Sequence, residues 1–340
     1  MNLTMKKILV TGAGGQIGTE LVPALRERYG IENVMATDIL ADFSGELANG
    51  PSRIVDVTSY ECIESAVKNY GATHIFHLAS ILSARGEENP HRAYRVNIDG
   101  LHNILEVARE NGLEQVVYPS SIAAFGPETP KENTPNETIQ KPTTIYGISK
   151  VFGELLGDYY SSKFGLDVRG LRFPGIISWK VEPTNGTTDY AAQMCFSAVR
   201  KGCYSCYLKE DTKLPMMYMP DAIRALIELS EADQSRLEHK TNFNVNAMSF
   251  APFELEEAIR REIPEFSIRY KIDQVKQAIA DSWPNSLDDS AAREEWGWKP
   301  EYGLEEMVNE MIKNLNRRFE PQENIARVRR ISARRWGWTK

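Results

Sequence analysis

Tyr146 and Lys150 stand four residues apart in the string YGISK. On a helix that spacing places a phenol and an ammonium one turn apart on the same face. A phenol with an ordinary pKa near about 10 is a poor base at neutral pH. A neighbouring ammonium favours the phenolate and makes proton abstraction accessible. Ser120 and Ser121 lie in YPSSIAAFG, at the end of an apolar run that reads as a strand. Parallel α/β sheets bind their ligands beyond the carboxyl ends of the strands. A serine hydroxyl, a phenol and an ammonium gathered there suit exchange between a carbinol and a carbonyl. Tyr–Lys pairs at this spacing are common on helix surfaces, so the surrounding elements decide whether these residues meet.

Those elements alternate. Short apolar runs at 7–11, 33–38, 53–56, 74–78, 115–120 and 168–173 read as strands, and 16–29, 60–70, 93–111 and 146–164 as helices. Near-continuous apolar strands between helices imply an α/β fold with a doubly wound parallel sheet covered on both faces. After residue 173 the character changes. Residues 174–186 are rich in Pro, Gly, Asn and Trp and read as loop. A strand at 216–218, a helix at 221–230 with Asp221 as its cap, and a strand at 243–246 look like a return to the sheet. Residues 252–261 and 304–317 read as further helices.

The first turn carries the clearest chemistry. In TGAGGQIGTE, Gly12, Gly15 and Gly18 recur every third residue with Gly14 between them, after a strand and before a helix. Glycines there permit a sharp turn, close approach of the backbone to a pyrophosphate, and tight packing of helix on strand. Asp38 ends the second strand, where a carboxylate takes the hydroxyls of an adenosine ribose. It repels a 2′-phosphate, and no Arg or Lys stands beside it in ATDILADF, so NAD is expected over NADP. Asp56 and Val57 follow the third strand, where they meet an adenine edge; Asp56 reads equally well as a helix cap. Residues 1–178 thus form a dinucleotide-binding domain with a return from about 216–248. Residues 179–215 and 249–320 form a smaller, interleaved C-terminal substrate-binding region, and 321–340 a basic tail.

Bulk properties exclude other classes. The 340-residue chain is 42% hydrophobic and 26% charged, with a formal net charge of −7. That balance argues against a general nucleic-acid or anionic-membrane surface. No apolar stretch is long enough to span a bilayer, and the start runs straight into a strand, so a cytoplasmic protein is expected. Four cysteines are too few for a disulfide framework, and the pair Cys203 and Cys206 lacks a second ligand pair for zinc. No metal is expected. Arg327, Arg329, Arg330, Arg334 and Arg335 crowd the tail; an acidic partner or RNA is one reading, a solvated extension the other, and no nucleic-acid partner is expected.

The glycine turn, the strand-end aspartate, HLAS, VNIDGLHNILE, SSIAAFG and YGISK together resemble the extended short-chain dehydrogenase/reductase superfamily, which includes the UDP-galactose epimerases. The resemblance runs to about residue 320 and implies a Rossmann-type sheet. Two departures disfavour sugar nucleotides. Pro174 and Gly175 stand where sugar-nucleotide enzymes carry an asparagine, and Ile122 and Ala123 follow Ser121 where dehydratases carry an acidic pair. LASILSA, RFPGIIS, TTDYA, KLPMMYMPDAIRA and SWPNSLDDSAAREEWGW are instead similar to the L-threonine 3-dehydrogenase branch.

That resemblance implies oxidation of the threonine 3-hydroxyl to 2-amino-3-ketobutyrate, with Tyr146 as base, Lys150 poising it and Ser121 bonding the forming carbonyl oxygen. It adds Gln16, Ile17, Ile39, Leu78, Ala79, Asn97 and Ile176 to the expected cofactor contacts. For a small zwitterion, Ser80, Ser83, Thr187 and Thr188 are candidates at the polar ends, and Trp283 as a wall. A homodimer through the helices at 93–111 and 146–164 is implied as well. A nucleotide-sugar epimerase or dehydrogenase, and a non-catalytic dinucleotide-sensing or RNA-associated member, are the alternatives.

Overall fold

The computed structural model describes residues 6–40, 43–184 and 186–319. The Arg-rich tail lies outside the described residues. β1 (Ile8–Thr11) leads through the glycine turn to α1 (Gly18–Tyr29), then β2 (Val34–Asp38), β3 (Ser52–Ile54), α2 (Tyr60–Tyr70) and β4 (His74–His77). Short helices α3 (Ser83–Glu88) and α4 (Pro90–Tyr94) precede a π-helical turn (Arg95–Asp99), α5 (Gly100–Glu110), β5 (Gln115–Ser121), α6 (Ile145–Phe164) and β6 (Asp167–Phe173). The rest comprises β7 (Gly175–Ile177), α7 (Tyr190–Lys201), β8 (Cys203–Cys206), β9 (Leu214–Tyr218), α8 (Met219–Glu231), β10 (Phe243–Asn244) and β11 (Met248–Phe250). It closes with α9 (Pro252–Glu262), β12 (Ser267–Tyr270), α10 (Gln274–Ser282), α11 (Ser290–Trp296) and α12 (Leu304–Phe319).

Seven strands form one parallel sheet in the order β10-β6-β5-β4-β1-β2-β3. This is a Rossmann-type α/β fold. The chain runs outward from β1 to β3, then restarts at β4 on the other side of β1. That reversal opens a crevice above the carboxyl ends of β1 and β4, where ligands of such sheets bind. All four residues of β1 are buried, and its side chains alternate between two cores. Ile8 and Val10 pack with α1 and α8, while Leu9 joins Ile63, Ile75 and Ile104 under α2 and α5. A third apolar cluster, around Tyr190, Phe196, Phe250 and Met311, holds the smaller region together.

Local signals set the helix ends. Ser59 caps α2 by accepting the Cys62 N–H, and Gly71 closes it in the left-handed region. Three differences from the sequence reading have physical causes. The helix expected over 93–111 contains the π-helical turn, a device that re-aims side chains inside a helix. The strand at 216–218 becomes part of β9, which pairs with β7 and β11 in a separate three-stranded sheet. Only α8 and β10 return to the main sheet. Asp221 does not cap α8; fully buried, it accepts the N–H groups of Glu301 and Tyr302 and pairs with Arg224. The helix starts earlier than expected, at Met219, so Tyr218 holds the cap position, Pro220 fits the first turn and Asp221 falls inside it, free to take tertiary partners. Among the described residues no helix is long and apolar enough to cross a membrane.

Candidate active site

Gly12 leaves β1 with φ of +68°. A Cβ there would lie 2.6 Å from the Ala79 nitrogen, so the loops after β1 and β4 touch through a residue without a side chain. At Gly18 a Cβ would lie 2.5 Å from the Gly12 carbonyl oxygen, which draws the N-terminus of α1 against the turn. Asp38 accepts the Gly14 N–H at 2.9 Å and the Leu40 N–H at 3.1 Å. A close-packed backbone turn at a helix N-terminus, with a carboxylate at the next strand end, fits NAD. Ile39 is exposed beside Asp38. Asp56 accepts both the N–H and the hydroxyl of Thr58, stabilising a turn just before α2. Val57 is buried, and its carbonyl accepts Asn103 Nδ2 at 3.1 Å. These residues gather beyond β2 and β3, on the opposite side of β1 from the Ser–Tyr–Lys set.

α6 delivers Tyr146 and Lys150. Thr144 caps it by accepting the Gly147 N–H at 3.1 Å, and Glu87 of α3 accepts the Ile145 N–H at 2.8 Å. Lys150 Nζ donates to the Pro119 carbonyl at 2.8 Å and lies 5.2 Å from the centre of the Tyr146 ring. Ser121, the last residue of β5, accepts the Ala123 N–H and lines the same cleft as Tyr146. Burial pushes the Tyr146 phenol up to about 12, and the neighbouring Ser121 hydroxyl works against that rise. Burial draws Lys150 down to about 8, opposed by the charge of Glu154. His77 on β4 shares a 2.8 Å hydrogen bond with Thr11 Oγ1. Burial, with the Lys150 charge second, takes it down to about 3, so it is neutral.

One cleft of about 220 Å³ unites most of the expected residues. Gly12, Gly15, Gln16, Ile17 and Gly18 of the glycine turn line it together with Ser121, Tyr146, Lys150, Leu78 and Ile176. Ser80, Ser83, Thr187, Thr188 and Trp283 line it as well. Gly14 is set back, its amide held by Asp38. Asn97 does not reach the cleft. Its amide accepts the Ile81 N–H at 2.8 Å and donates to the Ile81 carbonyl at 2.9 Å, pinning the loop that carries Ser80. Asn97 and Ala79 border a separate cavity of about 20 Å³ behind Lys150. The hydroxyls of Ser80 and Thr187 are buried without a protein partner. Such groups are costly unless a ligand satisfies them.

The sequence reading missed Asp189. It is the only acidic residue lining the cleft among those described, as Lys150 is the only basic one. Its carboxylate accepts the Gly186 N–H at 2.9 Å and the Thr184 hydroxyl at 2.6 Å, fixing the turn into α7. The signal was present, because Asp189 sits inside TTDYA next to Thr188, and an ammonium needs an anionic neighbour.

Residues 8–245 match the NAD dependent epimerase/dehydratase family. The chain belongs to that family. An uncharacterized epimerase/dehydratase of Staphylococcus saprophyticus is 52% identical over 91% of this chain and 96% of its own. Among solved structures, the L-threonine dehydrogenase of Clostridium difficile superposes with a TM-score of 0.90 at 47% identity, covering 92% of this chain and 98% of that one. The holo form of the GalE-like L-threonine dehydrogenase from Cupriavidus necator gives 0.89 at 49% identity, covering 91% and 99%. This epimerase/dehydratase-family member is an NAD-dependent oxidoreductase.

Proposed function

We propose that the protein oxidises the 3-hydroxyl of L-threonine to 2-amino-3-ketobutyrate. The observation that carries this reading is the content of the cleft. Small hydroxyl donors, one carboxylate and one ammonium suit a compact zwitterion better than a sugar nucleotide. The likeness to L-threonine dehydrogenase structures supports the same substrate.

NAD, when bound, supplies the two-electron acceptor. The chain's own residues do the rest. Tyr146 takes the proton of the substrate hydroxyl, and the Lys150 ammonium one turn away stabilises the phenolate against the cost of burial. Ser121 donates to the oxygen as it becomes a carbonyl. Ser80 and Thr187 offer their unpartnered hydroxyls to the carboxylate, and Asp189 faces the ammonium. Trp283, buried with its carbonyl held by Lys131 Nζ at 3.1 Å, forms the wall.

Comparing NAD reduction by L-threonine, L-serine, allo-threonine and UDP-galactose tests the assignment. L-Threonine is expected to give the highest kcat/KM, and Tyr146→Phe to lose most turnover while still binding NADH. Turnover of UDP-galactose with no NADH release from L-threonine would overturn it.

The same reading includes a homodimer, with threonine breakdown in the cytoplasm as its setting. On α6, Ile148, Leu155 and Tyr159 are about half exposed or more and form one stripe, with Val151 and Phe152 beside it. A solvated helix face is ordinarily polar. A second copy apposing its own α6 would cover the stripe.

A further inference from the structure

Beneath the Ser–Tyr–Lys set lies a buried ion pair with no part in the chemistry just described. Glu154 and Arg172 are each 2% exposed. Glu154 follows Lys150 by one helical turn, on the face of α6 that carries Tyr146. Arg172 lies on β6, in register with Ser120 on β5. Arg172 Nε and Nη2 donate to the Glu154 carboxylate at 2.9 and 2.8 Å. Gln140 Nε2 donates to it at 2.7 Å, and the Ser120 hydroxyl donates to it as well. Arg172 Nη1 donates to the Asn136 carbonyl at 2.7 Å and to Asn244 Oδ1 at 3.2 Å. A buried ion pair is a weak source of net stability, because desolvating two charges consumes most of their attraction. Its geometry points elsewhere.

Three consecutive residues of β5 meet three residues on one face of α6. The Pro119 carbonyl takes Lys150, the Ser120 hydroxyl takes Glu154, and the Ser121 hydroxyl meets Tyr146. The strand end is therefore gripped at the two residues that lead into the one that bonds the substrate oxygen. Charge reinforces the geometry. Facing Lys150 are Tyr146 and Glu154 from its own helix, the neutral His77 from β4, and the Pro119 carbonyl from β5. Glu154 supplies the negative charge among them. Arg172 from β6 and Asp158, one turn further along α6, modulate it.

We propose that Glu154 is a positioning residue for the redox site. Resting on the roles given above to Ser121, Tyr146 and Lys150, it fixes the strand end through Ser120 and sets a negative charge one helical turn from Lys150. Arg172 clamps its carboxylate in place. Burial alone lowers Lys150, and the Glu154 charge acts in the opposite direction. Removing that charge therefore makes Lys150 lose its proton at lower pH, and the alkaline limb of turnover retreats with it.

The test is a pH series of kcat and KM with NAD and L-threonine for wild type, E154Q, E154D and the double variant E154Q/R172Q. E154Q leaves Arg172 buried without its partner; the double variant removes both charges and keeps the comparison open if E154Q does not fold. The expected result for the charge-neutral variants is a fall in kcat on the order of ten- to a hundred-fold, the range for small misplacements near a site. KM for L-threonine should stay within about two-fold, since ground-state contacts are untouched. The alkaline limb should move to lower pH in both, and E154D, which keeps the charge, should restore it. A folded E154Q or double variant with wild-type kcat and limb overturns the proposal. So does an E154D limb displaced as far as that of E154Q. If wild type fails to reduce NAD with L-threonine, the substrate reading has failed by itself. NMR titration of lysine-labelled protein then decides the present point, and a Lys150 midpoint unmoved in E154Q refutes it.

Discussion

Replacing Gly18 with alanine adds one methyl group where α1 leaves the glycine turn. The new Cβ would sit 2.5 Å from the Gly12 carbonyl oxygen and 2.6 Å from Ala13 Cα. Ordinary contact begins at 3.4 Å, so α1 must retreat by about 0.9 Å. The atoms in the way are main chain and cannot rotate aside. Overpacking of this kind costs about 1–3 kcal/mol of stability. The retreat also swings the N–H groups at the start of α1 away from an anion. Losing one hydrogen bond to a charged group costs about 1.5–3 kcal/mol, which is roughly ten- to a hundred-fold in Kd. Calorimetric titration with NADH and thermal melts read the two effects. Gly71→Ala is the control: its φ is +70° with nothing within 4 Å, so it strains the backbone far from the turn. It should lower Tm and leave NADH affinity alone. A folded Gly18→Ala variant that binds NADH within about two-fold of wild type would refute the reasoning, as would an equal loss of affinity in Gly71→Ala.

Two further outcomes are expected. Asp189→Asn keeps an acceptor for the Gly186 N–H but removes the cleft's carboxylate. KM for L-threonine should rise about ten-fold or more, as for loss of a charge-assisted contact, with NADH affinity unchanged; an unaltered KM in steady-state kinetics would remove the ammonium assignment. Leu155→Glu places a charge on the most exposed apolar residue of α6, 65% exposed. Sedimentation should show a dimer for wild type and a monomer for the variant, and an unshifted dimer would place the interface elsewhere.

The sheet was legible because its signals are local. The β1 run is apolar on both faces, the glycine turn has one physical use, and Asp38 closes the next strand. Tyr146 and Lys150 were legible for the same reason, since helical spacing alone sets their relation. What escaped depends on residues far apart in the chain. Asn97 has the residue type of a ligand contact, but its partner is Ile81, sixteen positions earlier. Asp221 looks like a cap until Glu301 and Tyr302 arrive from beyond α11. α7 went unread because it starts from a 3-10 turn at Thr187–Asp189 rather than from a Ser or Asn cap. β9 was recognised as a strand, but five buried residues do not encode which sheet they join. Asp189 was overlooked because hydroxyls alone were assigned to both polar ends of the substrate, although an ammonium calls for an anionic neighbour.

The return of α8 and β10 to the main sheet bears on how such a protein is made and how it diversifies. β10 supplies the edge strand beside β6, through Phe243 opposite Leu171 and Asn244 opposite Arg172. α8 shares an apolar cluster with α1. A ribosome that has released only the first 178 residues has therefore produced a sheet with an open edge and an uncovered face, a surface prone to pair with other chains. Completion waits until residue 244 has emerged. Relatives cannot trade substrate-binding regions by a single crossover either, because the exchanged piece would carry part of the cofactor sheet with it. New specificities would instead arise by drift within TTDYA and its neighbours.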